Sequence, residues 1–138
     1  MSITTVLGFD FGHKRIGVAT GQTITCTATP LTTLTASADG AHWPQIDELV
    51  RQWKPDALLV GIPYMLDGKE TEMSQATRDF KQQLEQRFAL PVMLVDETLS
   101  SYQAEAMLKQ NMKIDQHNKA EIDKMAAAVI VQGWLDQQ

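Results

Sequence analysis

From Ile3 to Phe11 large apolar residues alternate with small or polar ones, which predicts a β-strand. Leu7, Phe9 and Phe11 fall on one face, and Val6, Gly8 and Asp10 on the other. Gly12 and Gly17 bracket the turn HKRI, and Ile16 to Gly21 predicts a second strand. Thr23 to Leu34 is rich in threonine, which suits a pleated surface, and predicts a third. Short connections make these three an antiparallel meander.

The period then changes. After a loop at Ala36 to Gly40, Trp43, Ile46, Leu49, Val50 and Trp53 recur at helical spacing, with Pro44 in the first turn and Pro55 ending the helix. Ala57 to Ile62 is a short apolar run of the kind buried in parallel sheets. Pro63 to Glu72 is a polar loop with the turn pair Asp67-Gly68. Met73 to Phe88 predicts a second helix, and Val92 to Val95 a fifth strand running into Asp96-Glu97. A third helix is expected from Ser100 or Ser101 through Lys109, then a polar connection from Asn111 to Asn118. Lys119 to Leu135 predicts the last helix, with Ile122, Met125, Ala126, Val129, Ile130 and Gly133 facing the core.

Three antiparallel strands followed by two strands, each reached through a helix, make an α/β chain. The expectation is a mixed five-stranded sheet with helices on both faces. That element order matches the ribonuclease H-like fold, with right-handed crossovers.

Composition narrows the class. A chain of 138 residues predicts a single domain over 1–138. Its one cysteine, Cys26, excludes an intrachain disulfide and a cysteine-based zinc site. No apolar run approaches the ~20 residues that span a bilayer. The N-terminus lacks a basic stretch followed by an apolar one, so a cytoplasmic location with no membrane partner is expected. The net charge of −5 speaks against a nonspecific nucleic-acid binder, which is normally basic. A metal-dependent enzyme on nucleic acid stays compatible, because bound ions compensate clustered carboxylates locally.

Candidate chemistry starts at Asp10. A lone carboxylate inside an apolar strand is costly unless paired, protonated or metal-bound. A strand-end Asx-turn is the plainer alternative. Asp96 and Glu97 close the fifth strand, where ligands of α/β sheets gather, yet acids there also suit a following helix N-terminus. Adjacent residues point to opposite sides, so spacing alone leaves the two tied. Asp123, in the second turn of the last helix, sits at the edge of the apolar stripe, and a dipole-stabilising surface acid is its plainer reading. Three carboxylates from three elements would suit magnesium or manganese, with two ions ~4 Å apart serving phosphodiester hydrolysis. Lys14 and Arg15 are candidate phosphate contacts, though charged turn tips are common. Lys109, Lys113, Lys119 and Lys124 could meet a nucleic-acid backbone, but a solvated helix face explains each of them. His13, His42 and His117 lack paired ligand spacing.

DFGHKRIGVA (10–19), VGIPYMLDG (60–68), DETLSS (96–101) and DKMAAAVI (123–130), in that order, resemble the YqgF/RuvX family of ribonuclease H-like nucleases. The family is related to Holliday-junction resolvases, and the resemblance covers nearly the whole chain. It implies a metal-dependent nuclease that matures the 5′ end of pre-16S ribosomal RNA in the bacterial cytoplasm. Its partners would be pre-16S rRNA or the pre-ribosomal small subunit, with branched DNA as an alternative substrate. A monomer or weak dimer is expected. The resemblance places catalysis and metal binding on Asp10, Glu97 and Asp123, which breaks the Asp96/Glu97 tie. Many members carry a basic residue where this chain has Thr98, so the resemblance does not carry a substrate-backbone contact over to that position, while the metal site is unaffected. A non-catalytic nucleic-acid-binding factor on the same fold is a second expectation. An actin/sugar-kinase-like ATPase also opens with Asp-x-Gly before an apolar strand, but such enzymes clamp ATP between two ribonuclease H-like domains.

Overall fold

Strand β4 (Ala57–Ile62) is buried at all six residues, as an apolar run in a parallel sheet must be. In the computed structural model, which describes residues 3–12, 14–35, 42–62, 72–96 and 119–138, it is one of five strands. The others are β1 (Thr5–Phe11), β2 (Arg15–Gln22), β3 (Thr27–Thr35) and β5 (Val92–Asp96). The spatial order is β3-β2-β1-β4-β5. β1–β2 and β2–β3 pair antiparallel, while β1–β4 and β4–β5 pair parallel. The described helices are α1 (His42–Trp53), α2 (Glu72–Phe88) and α3 (Lys119–Leu135). This is the mixed sheet with helices on both faces that the hydrophobic pattern predicts.

The two faces differ in the size of what they bury. On one, Leu7, Phe9, Ile16, Val18, Leu58 and Val60 pack against Ile46 of α1 and Phe80 and Leu84 of α2. Full burial of each such side chain contributes roughly 1.5–3 kcal/mol. On the other, Val6, Ala19, Ala57 and Leu59 meet Ala127, Ala128, Val131 and Trp134 of α3. Small residues dominate that second interface, so α3 lies close to the sheet.

Two expectations are corrected. The threonine-rich run predicts a strand from Thr23, but β3 starts at Thr27. Residues 23–26 are spent on reversing the chain. The Thr23 hydroxyl donates to the Ile3 carbonyl at 2.8 Å, and Cys26 takes a left-handed backbone with φ 54°. The second correction concerns which side of α3 faces inward. Ala126 and Ile130 are buried as expected, but Gly133 is exposed, and Ala127, Val131, Trp134 and Leu135 are buried instead. The run MAAAVIV is apolar on almost every side, so its period does not choose a face. The glycines of the sheet choose it. A Cβ at Gly8 would run into the Val131 side chain, and one at Gly21 would stand 2.5 Å from it.

The helix expected from Ser100 or Ser101 to Lys109, the connection 111–118, the loop at 36–40 and the turn at Asp67-Gly68 lie outside the described residues. Among the described residues no helix is long and apolar enough to cross a membrane.

Asp56 ties the sheet together just before β4. Its Oδ2 accepts the backbone N–H groups of Thr4 at 2.8 Å and Thr5 at 3.0 Å. Those bonds favour the ionised form and hold the carboxyl below the usual range. A depressed carboxyl contributes stability that is complete above its unfolded pKa of about 3.9 and is lost as pH falls through its folded value. Asp56→Asn should therefore be less stable than wild type at pH 6, with the gap closing below about pH 4. Urea denaturation at both pH values measures this, and a gap that stays constant would refute it.

Candidate active site

Asp10 is half-buried near the end of β1, on the face that α3 covers. Its cross-strand partner on β2 is Gly17. A Cβ at Gly17 would collide with the carbonyl group of Asp123, and would stand 3.0 Å from the Lys124 nitrogen. The backbone of α3 at Asp123 thus rests directly on Gly17, beside Asp10. Two carboxylates more than a hundred positions apart in sequence are brought to one patch of sheet.

The change of inward face explains why Asp123 arrives there. With Ala127, Val131 and Trp134 turned inward, Asp123 lies one turn ahead of Ala127 on the same side of the helix. It belongs to the sheet-facing side of α3, not to the edge of an apolar stripe.

Arg15 completes the patch. Residues 15, 17, 19 and 21 share the α3 face of β2, and the Arg15 Nε donates to Asp123 Oδ2 at 2.5 Å. The two side chains are 35% and 21% exposed, so the pair is sheltered more than an ordinary surface pair. Arg15, expected to contact phosphate, therefore holds a carboxylate. Lys14 stands exposed at the β1–β2 turn. The sequence carries a trace of this in RIGVATG, where positions 15, 17, 19 and 21 read Arg, Gly, Ala, Gly between larger residues. A face stripped to small residues asks for a closely approaching backbone. Neither Gly17 as the seat of Asp123 nor Arg15 as its partner follows without knowing which helix arrives.

Asp96 goes the other way. It pairs in register with Ile62 at the end of β5 and shares the parity of Val92 and Leu94, which pack on the α1/α2 side. Asp96 is therefore not on the face of Asp10 and Asp123. Glu97 lies outside the described residues, as do Thr98, His13, His117, Lys109 and Lys113. His42 heads α1 with its ring 5.3 Å from that of Trp43, and burial lowers its pKa. Lys124 pairs with Glu121 at 3.0 Å, the solvated-face arrangement.

Among the described residues no three His, Cys, Asp or Glu side chains form a metal cluster. Asp10 and Asp123 supply hard oxygen donors with no thiolate beside them, a set that fits magnesium or manganese rather than zinc.

Comparison with solved structures defines the class. The resolvase RuvC of Thermus thermophilus, determined in complex with a Holliday junction substrate, superposes with a TM-score of 0.61 at 14% identity, covering 97% of this chain and 94% of that one. The Fowlpox virus resolvase, determined in complex with Holliday junction DNA, gives 0.62 at 11% identity, with 97% and 98% covered. The fold is ribonuclease H-like. Within that class the chain belongs to the RuvX family, whose model, described as Holliday junction resolvase, matches residues 4–137. A Legionella pneumophila (strain Paris) protein named "Putative pre-16S rRNA nuclease" is 49% identical over 131 residues, 95% of this chain and 94% of its own length. A protein of the same name from Dechloromonas aromatica is 44% identical over 132 residues, covering 96% and 90%.

Proposed function

We propose that this protein is a metal-dependent endonuclease that hydrolyses phosphodiester bonds in structured RNA, acting in 5′-end maturation of pre-16S ribosomal RNA in the cytoplasm. The observation that carries the reading is the seating of Asp123 on Gly17, beside Asp10. The names of relatives at 44–49% identity support the RNA substrate. Asp10, Asp123 and Glu97 would hold magnesium or manganese, in a pair of ions. Glu97 is preferred to Asp96 because Asp96 shares its parity with the α1/α2 side. Bound there, such ions supply an activated water and stabilise the leaving oxygen.

The chain's own residues prepare that chemistry. Asp10 is fixed by the β1 ladder, and Asp123 by the contact of α3 with Gly17 and by Arg15. Lys14, exposed at the adjacent turn, is available to a phosphate of the strand being cut. These local cations offset a net charge of −5 that would otherwise repel RNA.

The test is cleavage by purified protein of a 5′-extended 16S precursor, a four-way DNA junction and simple single strands, with Mg2+, Mn2+ or EDTA. Metal-dependent cutting of the precursor, absent in Asp10→Asn, is the expected result. Preference for the junction would move the substrate to branched DNA. RNA binding without cleavage, unchanged by EDTA and by Asp123→Asn, would show a binding factor on a nuclease fold.

A further inference from the structure

Two Arg–Asp pairs, Arg87–Asp47 and Arg15–Asp123, use the guanidinium differently. Arg87 grips Asp47 through two parallel bonds, Nε to Oδ1 at 2.7 Å and Nη2 to Oδ2 at 2.6 Å, and so takes both carboxylate oxygens. Arg15 touches Asp123 through Nε alone and on Oδ2 alone. Among the described residues, nothing else is bonded to the Arg15 terminal nitrogens or to Asp123 Oδ1. A fork that could close on both oxygens instead holds one by its inner nitrogen.

We propose that Arg15 is a positioning residue with two separable tasks. Its Nε–H fixes the Asp123 carboxylate and leaves Oδ1 to a divalent ion, while its Nη edge faces a phosphate of the substrate. This inference rests on the reading that Asp123 is a metal ligand. A ligating carboxylate is normally held by an outer hydrogen bond, whose loss weakens metal binding ~10–100-fold. The guanidinium is suited to the second task because its planar edge matches two phosphate oxygens. Its charge stands beside both the carboxylates and the incoming backbone.

Side-chain geometry allows the two tasks to be separated. Glutamine carries its amide nitrogen the same number of bonds from the backbone as arginine carries Nε. Methionine places a methyl carbon there. Both are neutral, so any effect of the lost charge is common to them. They differ in whether an N–H can meet Asp123 Oδ2.

The experiment measures Mn2+ binding by electron paramagnetic resonance for wild type, Asp123→Asn, Arg15→Gln and Arg15→Met. Melting in EDTA serves as the control for folding. Asp123→Asn is expected to bind Mn2+ at least ~10-fold more weakly. Arg15→Met should fall ~10-fold below Arg15→Gln, while the two melt together in EDTA. In cleavage assays Arg15→Gln should raise KM several-fold with little change in kcat, since it keeps the inner donor and lacks the outer edge. Equal Mn2+ affinity in the Gln and Met variants would overturn the proposal, whether or not both differ from wild type. A drop in Mn2+ affinity that follows a drop in melting temperature would also overturn it, as the sign of a merely structural pair. If Asp123→Asn binds Mn2+ as wild type does, the metal-site reading itself fails and this inference falls with it.

Discussion

Adding one methyl group at Gly17 is expected to destabilise the fold by roughly 3 kcal/mol, the upper end of the usual range for overpacking. The obstacle is backbone. At Gly8 and Gly21 an added Cβ would meet mainly side-chain methyls of Val131. At Gly17 it would meet the backbone carbonyl of Asp123, which cannot move without the helix. The helix must lift, and lifting it carries Asp123 away from Asp10. Gly17→Ala should therefore lose Mn2+ affinity along with stability, although position 17 touches no metal. Gly133, on the exposed side of the same helix, is the internal control, because an added Cβ there would meet nothing within 4 Å. Alanine at that position should stabilise by about 1 kcal/mol through helix propensity alone. Urea denaturation of both variants decides the matter, and a Gly17→Ala protein as stable as wild type would mean that α3 does not rest on Gly17.

What is legible in the sequence and what is not separate along physical lines. β1, β4 and α2 can be read to within a residue or two because their burial is one-sided or complete and their ends carry turn residues. The start of β3 cannot, because threonine favours a strand and also bonds backbone in turns, and Thr23 is used in the second way. The inward side of α3 cannot, because a helix apolar on nearly every side has no preferred face until a surface selects one. Asp10 stands out as a charge among apolar neighbours. Asp123 does not, since a carboxylate in a second helical turn is ordinary until the helix is docked. The pairing of Arg15 with Asp123 spans 108 positions, a separation at which local pattern carries no information. The order of Asp96 and Glu97 is a question of strand parity. It becomes answerable for Asp96 only when the register of β5 against β4 is known.

Asp10→Asn is expected to cut cleavage at least ~100-fold, since losing an outer-shell partner already costs ~10–100-fold and this change would remove the charge of a proposed direct ligand. Asparagine keeps the shape of the side chain and one oxygen, so the β1–β2 ladder and the contact of α3 with Gly17 should persist. Metal-free stability should stay within about 1 kcal/mol of wild type. Removing one of two neighbouring carboxylates also relieves like-charge repulsion, which offsets part of any lost hydrogen bonding. The two proteins should diverge when metal is added. An ion that binds only the folded state stabilises wild type by about 2.7 kcal/mol at roughly a hundred times its dissociation constant. The variant at the same Mn2+ concentration should gain little of this. Thermal melts with and without Mn2+, run beside the cleavage assay, separate a dead site from a damaged fold. Undiminished cleavage by the variant, or equal stabilisation by Mn2+, would remove Asp10 from the metal site. The expected pattern is that of the proposed site, whose carboxylates would give up some stability without ions and recover it when they bind.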